Sequence, residues 1–323
     1  MDFILTIDTE ADNQWDHGCD VTVKNIAFIP RFQELCNKYK VKPTYLVTSE
    51  VCEDNFAKEI FRSYLSQHIA EVGAHLHAWT TGPFRDEDGF RDNDKGHAFA
   101  TELPVDLLKE KIKTLTGQIE TSFGIHPQSF RSGRYGFNDD VARSLVEHDY
   151  LVDSSVSPYT NWASHPGVPG SIGGPDFIDK TTDPYTYDFG NKSLIEIPIT
   201  ILPTHPFLNR YKAFARYYFR NVNYSIALRV LRKFIFKNQP LWLRPSGTMN
   251  IGQFEALLDA SAAMKLPFVV MMFHSSELMP GGSPNFPDKD AIEKLYVLLE
   301  KFFILLQDRD IASVTLTEAA KKL

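Results

Sequence analysis

Strand-like and helix-like segments alternate along most of the 323-residue chain, and this alternation constrains the fold more than any other feature. Apolar, β-branched runs predict strands at 3–8, 44–48, 71–77, 129–131, 150–154, 266–274 and 311–315. Helical spacing of apolar residues predicts helices at 24–40, 53–69, 103–124, 138–148, 289–306 and 316–322. Alternation of this kind predicts an α/β fold with a parallel sheet and helical crossovers.

Two segments depart from this alternation, at about 78–102 and about 155–250. Both are too long for plain connections, so we interpret them as functional insertions or lids. The sequence contains no internal repeat and no low-complexity segment. We therefore expect one domain that covers residues 1–323.

Composition narrows the classes of partner and compartment. The net charge of −7 argues against nucleic acid as a main partner. Three scattered cysteines without CxxC spacing fit a reducing compartment better than a disulfide framework. The start of the sequence does not resemble a signal peptide, and no apolar run reaches the ~18 residues of a membrane span. We expect a cytoplasmic location.

Several predicted strands end on ionisable residues, which is unusual for a purely structural sheet. Catalytic residues of parallel barrels collect at the carboxyl ends of the strands. The residues concerned are Asp8, Glu10, His75, His77, Arg131, Asp153 and His274. Each of these residues could also have a purely structural role. Asp8 and Glu10, for example, could be turn residues.

The stretch "GAHLHAWTT" places His75 and His77 one residue apart at the end of the third predicted strand. Side chains at i and i+2 of a strand share a face, so the two imidazoles could bind one metal ion together with nearby carboxylates. They could also be structural residues. His274 ends the very apolar run "FVVMMF", and a buried imidazole there needs polar partners, which favours a functional role.

Two further groups of residues are candidates for binding. Arg131 and Arg134 lie in "SFRSGRYG", where a guanidinium could hold a carboxylate in two-pronged geometry or remain solvated in a loop. Trp79 and Trp162 could be half-buried aromatic residues or walls on which a sugar stacks.

These motifs together resemble the polysaccharide deacetylase family, the NodB-type carbohydrate esterases. The resemblance rests on five stretches in the family's order: "TIDTE", "GAHLHAW", "SFRSGRYG", "VDSSV" and "MMFHSSEL". "HSSEL" and "GAHLHAW" are most similar to a cytoplasmic branch associated with cell-surface polysaccharide genes. The resemblance implies a distorted (β/α)7 barrel that removes N- or O-acyl groups from sugars with a divalent metal.

The resemblance also implies roles for individual catalytic residues. Asp8 would be the base that activates water, and Arg131 would hold its carboxylate. His274 would be the general acid, and Asp153 lies in the motif whose residues support that histidine. Tyr135 would help to bind the oxyanion through its backbone N–H.

The metal ligands implied by the resemblance are Glu10, His75 and His77. Zn²⁺ is the expected metal, with Co²⁺ or Ni²⁺ as alternatives. The sequence departs from the common family pattern at two positions, because Thr9 follows Asp8 where a second aspartate is usual and Trp79 replaces the second histidine of a four-residue spacing.

The expected partner is an acylated, mainly acetylated, sugar or glycan that is free, nucleotide-linked or lipid-linked. Two alternatives remain open from the residues. One is a glycoside hydrolase on a related barrel, with Asp8 and an acid such as Asp153 as its carboxylate pair. The other is a sugar-binding relative without catalytic activity.

One stretch reverses the acidic balance of the chain. No acidic residue occurs between Glu196 and Glu255, and residues 207–237 combine eight Lys and Arg residues with many aromatic residues. One interpretation is a pair of helices that cover the barrel with basic outer faces. The other is an interfacial helix in peripheral contact with an anionic membrane or a lipid-diphosphate substrate.

Overall fold

The computed structural model describes residues 1–12, 20–84, 97–168, 170–171, 173–236 and 239–323. Cys19, part of the predicted insertion at 78–102 and the last residue of the basic stretch, Lys237, lie outside the described residues.

The strands and helices follow the predicted alternation, with shifts of a few residues at their ends. The strands are β1 Asp2–Thr9, β2 Pro43–Val47, β3 Glu71–Leu76, β4 Ser129–Ser132, β5 Val152–Asp153, β6 Tyr185–Asp188, β7 Ser193–Glu196, β8 Ile201–Leu202, β9 Leu241–Trp242, β10 Phe268–His274 and β11 Ser313–Val314. The α-helices are α1 Ile29–Lys38, α2 Ser49–Glu53, α3 Asn55–Ser66, α4 Val105–Phe123, α5 Asp139–Glu147, α6 Pro206–Arg210, α7 Lys212–Asn221, α8 Ile226–Leu231, α9 Ile251–Ala263, α10 Lys289–Asp308 and α11 Leu316–Ala320.

Seven parallel strands form the centre of the sheet, in the order β10-β1-β2-β3-β4-β5-β7. β6 adds an antiparallel strand at the β7 edge, and β11 pairs with the beginning of β1. β8 and β9 form a separate antiparallel pair. Parallel pairing with helical crossovers confirms the predicted α/β class.

The sheet curls because short irregular segments connect its two ends. The Thr200 backbone N–H, just beyond β7, donates to the Val270 carbonyl on β10. Leu243, just beyond β9, donates to the Thr200 carbonyl and accepts from the Met272 N–H. Isolated backbone hydrogen bonds replace a continuous strand pair between the two ends of the sheet, so the barrel is distorted, as predicted.

Local sequence signals explain where several helices begin and end. α4 stops at Gly124, which adopts the left-handed conformation (φ 73°) that favours glycine at a helix end. The helix predicted at 53–69 is α3, and it is separate from α2 because the Asp54 carboxylate accepts a hydrogen bond from the Ala57 N–H and caps its start. α5 begins after Asn138, whose side chain caps the Val141 N–H.

Strand register places the polar strand ends together. Asp8 of β1 is the direct partner of His274 of β10, and Ile4 is the partner of Val270 four residues earlier on each strand. Side chains four residues apart on a strand share a face, so the apolar pair lies below the polar pair on the inner surface. β10 is buried on both faces up to His274, as its apolar run predicts.

The segment predicted as an insertion at 155–250 contains β6 to β9 and α6 to α8. After α8 the chain continues as one π-helical turn, Arg232–Phe236. Within the described ranges, no helix is both long and apolar enough to cross a membrane.

Candidate active site at the carboxyl ends of the strands

A cavity of about 310 Å³ opens where β1, β3, β4 and β10 end. Nine of the eleven predicted site residues line it. They are Asp8, Glu10, His75, His77, Trp79, Arg134, Tyr135, Trp162 and His274. The remaining two, Arg131 and Asp153, are fully buried behind the cavity wall.

The carboxylate of Glu10 and the imidazoles of His75 and His77 converge on one point. Glu10 Oε2 lies 3.0 Å from His77 Nε2 and 3.5 Å from His75 Nε2. All three side chains are buried, and one ligand atom from each falls within 4.8 Å of the others. Two imidazole nitrogens and a carboxylate oxygen are a donor set of catalytic zinc sites.

A hydrogen bond at Nδ1, the ring nitrogen away from Glu10, fixes the orientation of His75. Its Nδ1 lies 3.0 Å from the Arg131 carbonyl oxygen, which can only accept. Nδ1 therefore carries a proton, and Nε2 faces Glu10. Burial lowers the pKa of His75, but the Asp8 and Glu10 carboxylates outweigh this effect and raise it. The carboxylates favour positive charge at this point, and a metal ion would supply it in place of the proton.

Gly133 gives His77 the space it needs. A Cβ at position 133 would lie 2.8 Å from His77 Cδ2 and 2.8 Å from the Leu76 carbonyl oxygen, which is too close for any side chain. Trp79 stacks on His77 from within the cavity at 4.2 Å between ring centroids. The imidazole is thus held between a glycine and an indole.

Asp8 is held by a fully buried arginine. Arg131 Nη1 donates to Asp8 Oδ1 at 2.6 Å, while Nε and Nη2 donate to the carbonyl and hydroxyl oxygens of Ser154. Burial raises the pKa of Asp8, but Arg131, followed by His75 and His274, lowers it below its usual value. The ionised carboxylate can therefore accept a proton.

His274 stands beside two partners that the sequence analysis did not identify. Glu277 Oε2 accepts from the His274 backbone N–H at 3.0 Å and lies 3.3 Å from His274 Nδ1. Arg244 Nη2 lies 3.0 Å from both Glu277 Oε2 and His274 Nδ1. Burial raises the pKa of Glu277, but Arg244 and His274 outweigh it and lower the value to about 2. The carboxylate is ionised and can orient the imidazole.

Asp153 lies away from His274 in the described contacts. Its carboxylate accepts from the backbone N–H and hydroxyl of Ser155, both at 2.8 Å, and the Ser155 hydroxyl accepts from the Ser132 N–H. Asp153 lies beside Glu196, and burial followed by repulsion from Asp153 raises the pKa of Glu196 well above its usual range. The described contacts of Asp153 support the end of β4, and the carboxylate beside His274 is that of Glu277.

Several aromatic residues form part of the cavity wall, and two of them, Trp79 and Trp162, were predicted to bind sugar. Trp162 stacks on Tyr135 at 5.2 Å, and Trp79 stacks on His97 at 4.0 Å. Arg134 lies over the ring of Phe99 at 4.2 Å and donates to the His97 carbonyl, so its described contacts are with the wall.

Arg134 and Tyr135 have positive φ values of 54° and 61°. This left-handed conformation is strained for bulky residues and is often found at functional sites.

The comparisons with known proteins bear on the fold. No protein-family model and no curated protein matches the sequence. An allantoinase named PuuE matches at a TM-score of 0.53 with 13% identity, over 99% of this chain and 88% of that one. The 4-alpha-glucanotransferase of Thermococcus litoralis matches at 0.53 with 14% identity, over 100% of this chain and 38% of that one. The chain shares the fold of the allantoinase and of the matched part of the glucanotransferase.

Structures of carbohydrate esterase family 4 also match, at TM-scores of 0.41 to 0.45. One is an acetyl xylan esterase from Clostridium thermocellum in complex with a cobalt ion, with a TM-score of 0.41 and 15% identity over 99% of this chain and 90% of that one. Others are described as pseudoenzymes. A shared fold does not fix an activity, so the function has to be argued from the side chains.

Proposed function

We propose that this protein is a metal-dependent hydrolase that removes an acyl group from a sugar or glycan. The observation that carries the proposal is the position of Glu10, His75 and His77 directly beside the ionised Asp8. A metal site and a base within the same 310 Å³ cavity are the parts that hydrolysis of an amide or ester requires.

The residues present fit a divalent metal. Glu10 Oε2 faces both Nε2 atoms, and the Arg131 carbonyl oxygen fixes the tautomer of His75. Glu10, His75 and His77 would hold the ion, and the nitrogen-rich donor set favours Zn²⁺, with Co²⁺ or Ni²⁺ as alternatives. A bound ion of this kind lowers the pKa of water and polarises an acyl carbonyl.

The protein side chains would then move the protons. Asp8 accepts a proton from the attacking water, because Arg131 keeps its carboxylate ionised and correctly oriented. The backbone N–H of Tyr135 binds the developing oxyanion. His274, oriented by Glu277, donates a proton to the departing amine or alcohol.

The glycoside hydrolase alternative is less consistent with the geometry. It uses two carboxylates on either side of a sugar, but Asp153 is fully buried and does not line the cavity. Glu10 does line it, but both histidines lie against its carboxylate.

The direct test is acetate release from N-acetylated and O-acetylated oligosaccharides by the full chain loaded with Zn²⁺ or Co²⁺. Asp8→Asn and His274→Ala should each reduce kcat by roughly 100- to 10,000-fold while the metal stays bound. Near-normal turnover in either variant would contradict the role assigned to that residue. Release of reducing sugar without acetate would contradict the proposed activity.

A further inference from the structure

The helices between β8 and β9 have an exposed apolar surface. Half of the large exposed apolar side chains in the described part of the chain lie within residues 206–236. They are Phe207, Tyr211, Tyr217, Tyr224, Ile226, Val230, Phe234 and Ile235. Soluble proteins rarely expose so many apolar side chains in one short segment unless a partner covers them.

Three of these side chains form a stripe along one helix. Ile226, Val230 and Phe234 follow each other at four-residue steps along α8 and the π-helical turn, and they are 73%, 51% and 67% exposed. Residues at that spacing lie on one face of a helix. Leu228 and Phe236 are buried, so the stripe is distinct from the side that packs on the protein.

Basic side chains accompany the stripe. Arg229, Arg232 and Lys233 are exposed on the same helix, and none of them forms an ion pair with the residues that the structure describes. Arg220 of α7 differs, because it pairs with Asp176 and Asp179 of the preceding segment. No acidic residue occurs between positions 196 and 255 to neutralise the stripe's cations.

The helices form one unit through a buried aromatic cluster. Phe236 lies 5.0 Å from Tyr218 of α7, between ring centroids, and the cluster also contains Leu208 of α6 and Leu228 of α8. Phe219 of the same cluster contacts Tyr159, three residues before the cavity residue Trp162. The exposed stripe therefore belongs to a packed element next to the cavity.

We propose that this element, α6 to Phe236, binds the surface of an anionic lipid bilayer. An apolar stripe flanked by Arg and Lys is the pattern of a helix that lies in the headgroup region with its cations on acidic lipids. This inference does not depend on the proposed hydrolase activity.

Other occupants fit the surface less well. A second copy of the chain in a two-fold dimer would place identical basic patches against each other without a carboxylate between them. Nucleic acid would match the cations but would leave the aliphatic stripe unused.

The test is co-sedimentation of the full chain with vesicles of phosphatidylcholine alone or of phosphatidylcholine mixed with phosphatidylglycerol. We expect binding to the mixed vesicles that weakens as the salt concentration rises, because salt screens the lipid charge. Failure to bind the mixed vesicles at low salt would overturn the proposal. A stable dimer that depends on Ile226, Val230 and Phe234, without vesicle binding, would also overturn it, in favour of a second copy.

Two variants separate the contributions of charge and apolar contact. Replacing Arg229, Arg232 and Lys233 with Gln should weaken binding to mixed vesicles roughly 100-fold, since each cation near an anionic surface contributes about fivefold. The matched control replaces three exposed lysines elsewhere with Gln: Lys113, Lys265 and Lys301. Equal losses in variant and control would overturn the assignment to this surface.

The apolar variant replaces Ile226, Val230 and Phe234 with Ser. It should lose vesicle binding, because its intact basic side chains alone cannot maintain it. Its control replaces two exposed residues of α10, Val297 and Ile304, with Ser and should bind as the wild type does. Thermal unfolding of all variants checks that the chain folds. Unchanged vesicle binding by the folded apolar variant would contradict insertion of the stripe.

Discussion

Arg131 and Asp8 form a buried ion pair in which Nη1 of the arginine lies 2.6 Å from Oδ1 of the aspartate. Neither side chain has more than 3% of its surface exposed, so the pair lies in a medium where charges interact strongly. The pair connects β4 to β1. β4 carries the Arg131 carbonyl oxygen that accepts from His75, and β1 carries Asp8, the proposed base.

The ion pair predicts a pH effect. Arg131→Gln removes the positive charge that lowers the pKa of Asp8, so this pKa rises and Asp8 loses its negative charge at a higher pH. The acidic limb of the kcat/KM profile for acyl hydrolysis should therefore move to higher pH, with at least a tenfold loss at neutral pH. Arg131→Lys keeps a charge and should move the limb less. An acidic limb that stays in place in a folded Arg131→Gln variant would show that Arg131 does not tune Asp8.

Glu277 predicts a dependence of stability on pH. Its pKa is about 2 in the folded protein against an ordinary value of 4.5. Its contribution to the free energy of unfolding is therefore fully present above pH 4.5 and is lost as the pH falls toward 2. Glu277→Gln should lower the free energy of unfolding by about 3 kcal/mol at neutral pH. This deficit should shrink below pH 4.5 in urea unfolding. Glu59→Gln, at an exposed position, is the control; an equal, pH-independent effect of both changes would contradict the account.

Glu196 predicts a change of folding stability with pH in the direction opposite to that of Glu277. Burial and Asp153 raise the pKa of Glu196, so its carboxyl group keeps a proton in the folded protein. The unfolded chain releases this proton above the ordinary pKa of the group, and the wild type therefore loses stability as the pH rises. Glu196→Gln cannot ionise. Its free energy of unfolding should therefore increase relative to the wild type between about pH 5 and about pH 8. A difference that stays constant over this range would mean that Glu196 is ionised in the folded state.

Gly133 predicts a link between backbone packing and the metal. Gly133→Ala would place a Cβ 2.8 Å from the His77 ring and displace it, which should weaken Zn²⁺ binding roughly 10- to 100-fold. The control is Gly117→Ala on α4, where no atom lies within 4 Å of the added Cβ. Zn²⁺ titration with a competing chelator measures both affinities. Equal affinities in the two variants would show that His77 does not need this space.

The sequence predicts the parallel α/β sheet and most of its polar end because both depend on local periodicity. Apolar runs that end in Asp8, His75, Arg131 and His274 identify the strands and their carboxyl ends at once, and parallel pairing then brings those ends together. The two-residue period of a strand places His75 and His77 of the candidate metal group on one face.

The partners of His274 could not all be predicted because they depend on contacts that periodicity does not encode. Arg244 lies in an irregular segment beyond β9, thirty residues before the histidine in the chain. Glu277 had a signal in the sequence, since an acid three residues after a strand end matches a capping box. Asp153 ends a strand as the other site residues do, but its side chain pairs with Ser155 and Glu196.

Compartment, lipid linkage and membrane contact are not encoded in the barrel or in its cavity, and they stay predictions. Cys36 and Cys52 are buried free thiols.

The most direct test of the central claim is the metal content of the untagged, chelator-free protein by mass spectrometry, after exposure to Zn²⁺, Co²⁺ or Ni²⁺. The account predicts about one ion per chain, retained by Asp8→Asn and lost in His75→Ala or His77→Ala, because two of three protein ligands cannot hold it tightly. No bound ion under any of these conditions, or an ion that stays in both histidine variants, would contradict the claim that Glu10, His75 and His77 form the metal centre.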